Sequence, residues 1–123
     1  MVSQSLVSVV DDDESVRESL PHLLRKFGYA AQAFASAEEF LESEFVGQTR
    51  CLILDVAMPG MSGPALQLEL SRRQQSIPIV FITAHADDTV RPRVLEAGAV
   101  ECLFKPFSAT ALRAAVDTAL RVS

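Results

Sequence analysis

Acidic, hydroxyl and cationic residues stand at the carboxyl ends of the apolar runs in this chain. Their types match what a metal-assisted transfer of a phosphoryl group to a carboxylate needs. Leu6 to Val10 runs into Asp11 and Asp12, Cys51 to Leu54 into Asp55, Ile79 to Ile82 into Thr83, and Val100 to Phe104 into Lys105. A carboxylate attacking a phosphoryl group approaches dense negative charge, so a divalent cation has to neutralise oxygens on both nucleophile and donor. Magnesium prefers hard oxygen ligands, and Asp11, Asp12 and Asp55 are the candidates, with Asp55 also the nucleophile. Lys105 can set its ammonium on the phosphoryl oxygens, and the Thr83 hydroxyl can donate a hydrogen bond to the same group once Asp55 is modified. Three crowded carboxylates repel one another, which raises some of their pKa values and gives a cation a place to bind.

Continuous apolar runs are expected of strands buried on both faces of a parallel sheet. Ligand groups in open α/β sheets collect at the carboxyl ends of such strands, so one crevice can hold these side chains together. Between the runs the spacing turns helical. Val16, Leu20, Leu23, Leu24 and Phe27 recur at three and four residues from Glu14 to Phe27, and Gly28 stands where a left-handed residue would end that helix. Tyr29 to Phe34 reads as a strand. Ser36-Ala37-Glu38-Glu39 is a capping-box signature for a second helix, with Phe40, Leu41 and Phe45 on its inner face and Gly47 closing it. Val56 to Gly63 is rich in turn residues, and Pro64 opens a third helix whose main apolar residues are Leu66, Leu68 and Leu70, although Leu68 breaks strict spacing. Asp87 or Asp88 can cap a fourth helix that ends before Gly98. Pro92 falls inside it, so that helix is expected to begin late or kink near Arg91. Ser108 can cap a fifth helix through Leu112, Val116 and Leu120. Strand followed by helix, repeated along the chain with right-handed crossovers, predicts an α/β fold: a doubly wound parallel sheet covered by helices on both faces.

At 123 residues the length suits a single domain spanning 1–123, large enough to fold without disulfides or a structural metal. Apolar residues are 49% and charged residues 22%, and the longest uncharged apolar run falls far short of a membrane span, which predicts a soluble chain with no membrane partner. Met1-Val2-Ser3-Gln4-Ser5 lacks the basic and apolar regions of a signal peptide, and Cys51 and Cys102 lie within predicted strands as buried apolar residues. A reducing cytoplasm is therefore the expected compartment. A formal charge of −5 with no Lys/Arg cluster leaves no electrostatic footprint for nucleic acid, so DNA contact, if the protein has any, belongs to another domain.

Read together, Val10-Asp11-Asp12-Asp13-Glu14, Leu54-Asp55 with Met58-Pro59-Gly60-Met61-Ser62-Gly63, Ile82-Thr83-Ala84, Ala97-Gly98-Ala99 and Phe104-Lys105-Pro106-Phe107 resemble a response-regulator receiver domain of two-component signalling. The resemblance covers essentially the whole chain, and Asp11 to Arg17, Ser36 to Leu41 and Thr83-Ala84-His85 are most similar to the FixJ-type branch. It implies the CheY-like, flavodoxin-like fold with five parallel strands in the order 2-1-3-4-5 and five helices. It further implies an acid pair at Asp11 and Asp12, a phospho-acceptor at Asp55 and an active-site lysine at Lys105. The switch hydroxyl would be Thr83, the backbone carbonyl of Ala57 would be a further magnesium ligand, and the Lys105-Pro106 bond would be cis. The implied partners are a sensor histidine kinase and, on phosphorylation, a second copy or other protein at the surface from the fourth to the fifth helix. Such receivers usually precede a LuxR-type helix-turn-helix domain, and the end at Arg121-Val122-Ser123 then reads as a cut from a longer transcription regulator.

One departure bears on output. Three residues before the lysine the family carries Tyr or Phe, whose ring turns inward when the threonine moves, and here the residue is Cys102. A cysteine has no ring to swing, so the signal is expected to travel through backbone movement after Thr83.

Taken singly, each residue has a plainer reading: the aspartate pair as a helix-cap cluster, Lys105 as a solvated loop residue, Thr83 as a strand-end hydroxyl. Only their joint placement favours the site. Asp13 and Glu14 are read as first-turn acids of the first helix, His22 and His85 as solvated or helix-face residues, with His85 near enough to Thr83 to tune water access, and Met58 and Met61 as loop packing. A magnesium-dependent phosphatase with an aspartyl-phosphate intermediate needs a second acid two residues after its nucleophile, and Ala57 stands there, so the chain is expected to catalyse only its own phosphorylation and dephosphorylation. The remaining alternative is a receiver-like interaction module that is never phosphorylated, and such modules tend to lose an acid or the lysine.

Overall fold

Each apolar run becomes a strand of one parallel sheet in the order β2-β1-β3-β4-β5. The structure, a computed structural model, describes residues 4–84 and 89–122. The strands are β1 (Leu6–Val10), β2 (Ala30–Phe34), β3 (Thr49–Asp55), β4 (Ile79–Thr83) and β5 (Glu101–Phe104); the helices are α1 (Glu14–Lys26), α2 (Ala37–Glu42), α3 (Gly63–Arg72), α4 (Val90–Glu96) and α5 (Ala109–Val122). Successive residues of a strand point to opposite faces, and two cores result. On one face Val9, Ile53 and Ile82 pack with Leu20 and Leu24 of α1 and Leu112 and Val116 of α5. On the other, Val10, Leu54 and Phe81 pack with Phe40 of α2, Leu66 and Leu70 of α3 and Val94 of α4. Both faces are covered, which is why the strands lack polar alternation.

The first helix ends as its glycine demands. Gly28 has φ +98°, its N–H donates to the Arg25 carbonyl at 3.0 Å and the Tyr29 N–H to the Leu24 carbonyl at 3.1 Å, a paired closure of the last carbonyls. Tyr29 thus belongs to the helix end and β2 starts one residue later than its sequence suggests. Pro21 sits buried within α1 without ending it.

The second helix is shorter than its sequence predicts. It stops at Glu42 because the Ser43 hydroxyl donates to the Phe40 carbonyl at 2.7 Å and its oxygen accepts from the Phe45 N–H at 3.2 Å, a local alternative to helical bonding. Phe45 then precedes a separate 3-10 turn, Val46–Gln48, containing the glycine expected to close the helix, yet its ring still packs 6.2 Å from that of Phe34. In α3, Gly63 rather than Pro64 is the first residue, capped by the Ser62 hydroxyl, and Leu68 is 71% exposed, as its broken spacing foretold.

Pro92 proves compatible with α4 because the helix begins late, at Val90. The proline then occupies the third position, where no intrahelical N–H bond is required. The suggested caps Asp87 and Asp88, together with His85, Met1 to Ser3 and Ser123, lie outside the described residues. Ser108 caps α5 as expected, accepting from the Ala111 N–H at 3.0 Å, and the Tyr29 hydroxyl donates to the Asp117 carboxylate, tying α5 to the turn after α1. Cys51 and Cys102 are free and buried, His22 is exposed, and among the described residues no helix is long and apolar enough to cross a membrane.

Candidate functional site

Strand register builds the site. Val10 pairs with Leu54 and Asp55 with Ile82, so Asp11 emerges beside Asp55 at the ends of adjacent strands, with Thr83 one residue beyond on the next. Asp11 is held from both sides of its peptide: its N–H donates to the Phe34 carbonyl at 3.1 Å, and its carbonyl accepts from Arg17 Nη1 at 3.0 Å. The Asp11 side chain is fully buried, its Oδ1 accepting from the Asp13 N–H at 2.9 Å and its Oδ2 from Lys105 Nζ at 3.0 Å. Lys105 Nζ also lies 3.9 Å from Asp55 Oδ1, so one ammonium faces two carboxylates. Asp12 projects into solvent, yet one oxygen from each of Asp11, Asp12 and Asp55 lies within 4.8 Å of the others.

This crowding has an electrostatic consequence. Burial, reinforced by the charge of Asp11 and opposed by Lys105, pushes the Asp55 carboxyl up to about 7. A group so poised is partly protonated near neutral pH, and a cation competes with that proton for its oxygens. An all-oxygen, carboxylate-rich set open on one side is the ligand chemistry magnesium favours, and the residues present fit that ion. The cleft above them measures about 280 Å³; its wall includes Ala57 and Ala84 beside the three aspartates and Lys105.

The sequence-derived residues arrive together, with two qualifications. Thr83 is 1% exposed at the end of β4, where its carbonyl accepts from the Lys105 N–H at 2.8 Å, and the neighbouring cleft wall is Ala84. Cys102 lies apart from the cleft, 3% exposed within the core under α4. The Lys105-Pro106 bond is cis, as the resemblance implied. Asp13, read as a helix-start acid, does cap α1 by accepting from the Ser15 N–H, and it also lines the cleft.

Two residues that hold this site in place escaped the sequence reading. Arg17 steadies the acid pair through a backbone carbonyl, a contact that spacing along α1 does not announce. Gly63 is the other. A Cβ there would lie 2.3 Å from the Asp55 carbonyl oxygen and 3.0 Å from Phe81, so only glycine lets α3 start against the end of β3. Its place in Met58-Pro59-Gly60-Met61-Ser62-Gly63 was visible as turn chemistry, but the close approach was not.

A five-stranded sheet of this order with acids at the ends of its first and third strands and a lysine after its fifth defines the receiver class. The chain belongs to the response regulator receiver domain family, whose model matches residues 7–117. It is 47% identical over 105 residues to nodulation protein W of Bradyrhizobium diazoefficiens, covering 85% of this chain and 46% of that protein. It is 39% identical to the response regulator protein TodT of Pseudomonas putida, covering 97% and 52%, and 39% identical to the transcriptional regulatory protein FixJ of Azorhizobium caulinodans, covering 93% and 54%. The chain thus spans about half the length of the curated relatives it matches. Among solved structures it superposes on the response regulator StyR with a TM-score of 0.90 at 48% identity, over 98% of this chain and 61% of that one. On FixJ-N the TM-score is 0.87 at 36% identity, over 98% and 96%. Response regulators are signalling proteins of two-component systems, their receivers interact with histidine kinases, and of these relatives FixJ is a transcriptional regulatory protein by name.

Proposed function

We propose that this receiver is a phosphorylation-activated switch in which Asp55 takes a phosphoryl group from a sensor histidine kinase or a small phosphodonor. The observation that carries the reading is the convergence of the Asp11, Asp12 and Asp55 carboxylates within 4.8 Å, with Lys105 Nζ 3.0 Å from Asp11 and 3.9 Å from Asp55. An Asp55 oxygen attacks phosphorus, a new O–P bond forms, and the bond to the donor nitrogen or oxygen breaks, its electron pair leaving with the donor. Asp11, Asp12, Asp55 and the Ala57 carbonyl would hold magnesium, which when bound supplies the positive charge that lets nucleophile and phosphoryl oxygens approach. Lys105 is already among the carboxylates and neutralises a phosphoryl oxygen in the product. Thr83 donates its hydroxyl to the same group after transfer. Hydrolysis of the acyl phosphate reverses the switch, so the domain acts on itself alone.

The output is a bias in the surface from α4 to α5 toward a second copy or another partner. With Cys102 buried where an aromatic ring would move, backbone displacement after Thr83 carries the signal. In the full protein, located in the cytoplasm, a C-terminal DNA-binding domain executes transcription regulation, and the chain described here makes no nucleic-acid contact of its own. Incubation with acetyl phosphate, with and without magnesium, followed by intact-mass measurement tests the core of this. The expected result is a magnesium-dependent phosphoryl adduct on the wild type and none on Asp55→Asn; an adduct of equal yield on the variant removes Asp55 as acceptor.

A further inference from the structure

The loop after Asp55 is gripped from a helix that the sequence connects to it only remotely. Glu38, in the first turn of α2, extends its carboxylate to the tip of the Val56 to Ser62 loop, where Oε2 accepts from the Met61 N–H at 3.2 Å. The same oxygen sits so close to Gly60 that a Cβ there would be 2.8 Å away, and Gly60 has φ +73°, a turn that favours glycine. The loop's other fixings are the Val56 N–H donating to the Ile82 carbonyl and the Gly63 N–H to the Val56 carbonyl, each at 3.0 Å, with Met58 buried in the core and Met61 packed against it. Glu38 thus adds to that packing a side-chain hydrogen bond that reaches the tip from another element.

The two adjacent acids of α2 divide the work. The Ser36 oxygen accepts from the Glu39 N–H at 3.0 Å, while the Glu39 carboxylate folds back past the cap to accept from the Ala35 N–H at 3.4 Å, so the start of the helix is closed without Glu38. Helix capping therefore does not explain the second carboxylate.

We propose that Glu38 is a positioning residue for the metal site: by holding the tip of the loop it restricts the backbone at Ala57, three residues before Gly60, which lines the cleft beside the aspartate cluster. The inference rests on the metal reading given above and deepens it. Groups that orient a ligand without touching the ion govern affinity because they remove alternative ligand directions. Linkage makes the effect mutual, so cation binding in turn lowers the population in which the Glu38 contact is open.

The test compares wild type, Glu38→Ala and Glu38→Gln by calorimetric titration with magnesium alone and by amide exchange of Met61 with and without the ion. Glutamine keeps an acceptor oxygen for Met61; alanine does not. The expected result is about tenfold weaker magnesium binding in the alanine variant, near wild-type binding in the glutamine variant, and faster Met61 exchange in the alanine variant alone. Alanine binding equal to wild type overturns the proposal, as does a glutamine variant as weak as alanine, since the acceptor oxygen would then not be the operative group. A loss of thermal stability in the alanine variant with unchanged magnesium affinity assigns Glu38 a merely structural role and also overturns it. Failure of the wild type to bind magnesium overturns the metal reading itself, a result distinct from all of these.

Discussion

At the residue scale the site is defined by what its carboxylates cost one another. Asp55 is pushed up to about 7 from 3.8, first by burial and then by Asp11, with Lys105 offsetting part of the effect. Because the folded value lies above the unfolded one, the unfolded chain gives up this proton more readily. The favourable contribution of the protonated group is complete below about pH 4 and is lost as the pH rises through about 7. Asp55→Asn removes that loss. Without metal, its stability relative to wild type should therefore grow between pH 4 and pH 7 and level off above, by on the order of 2 kcal/mol once solvent screening is allowed for. Urea unfolding at several pH values checks this, and a difference that does not vary with pH would contradict it. The proton and a cation compete for the same oxygens, so magnesium affinity measured by calorimetry should also fall as the pH drops below about 7.

At the element scale the site depends on how closely α3 and the end of β3 approach. Gly63 permits that approach, and Gly63→Ala places a methyl group 2.3 Å from the Asp55 carbonyl oxygen, a backbone atom that cannot swing aside. A loss of about 2–3 kcal/mol in denaturant unfolding is expected, with weaker magnesium binding because the strand end must shift. Unchanged values for both would show that α3 can retreat freely. The β5 edge of the sheet is looser. α4 is seven residues long with Val94 its buried residue, joined to α3 through Gln67 Nε2 donating to the Val94 carbonyl and to β5 through the exposed Arg91 and Glu101 pair. Such a pair adds no more than about 1 kcal/mol, so α4 is held weakly on that side, which suits the switch surface proposed above. α5 is bound more firmly, by Tyr29 to Asp117 and by Arg113 stacked 5.4 Å over Phe27.

At the scale of the whole molecule, the charged cleft sits at the carboxyl ends of the strands, where the two apolar cores share one sheet, so a change of charge at Asp55 can be felt on either face. The proposed output predicts self-association that depends on phosphorylation. Sedimentation velocity should show a shift toward dimer for wild type treated with acetyl phosphate and magnesium, and no shift for Asp55→Asn. A fully phosphorylated wild type that stays monomeric would move the output to a different protein partner.

The order of strands and helices, the acids at strand ends and the lysine before a proline follow from local patterns, because hydrophobic periodicity and turn chemistry are written into short stretches of chain. The apolar runs named the strands almost to the residue, and the Gly28 and Ser108 boundaries were legible for the same reason. The end of α2 was less so, since Ser43 chose a local hydrogen bond over one more helical turn. Only the folded molecule could bring Lys105 across 94 residues to Asp11, demand glycine at position 63, or set Glu38 against a loop 23 residues away. Those contacts depend on register, crossover and the distance between packed elements, quantities that arise when the sheet assembles and that no single segment encodes.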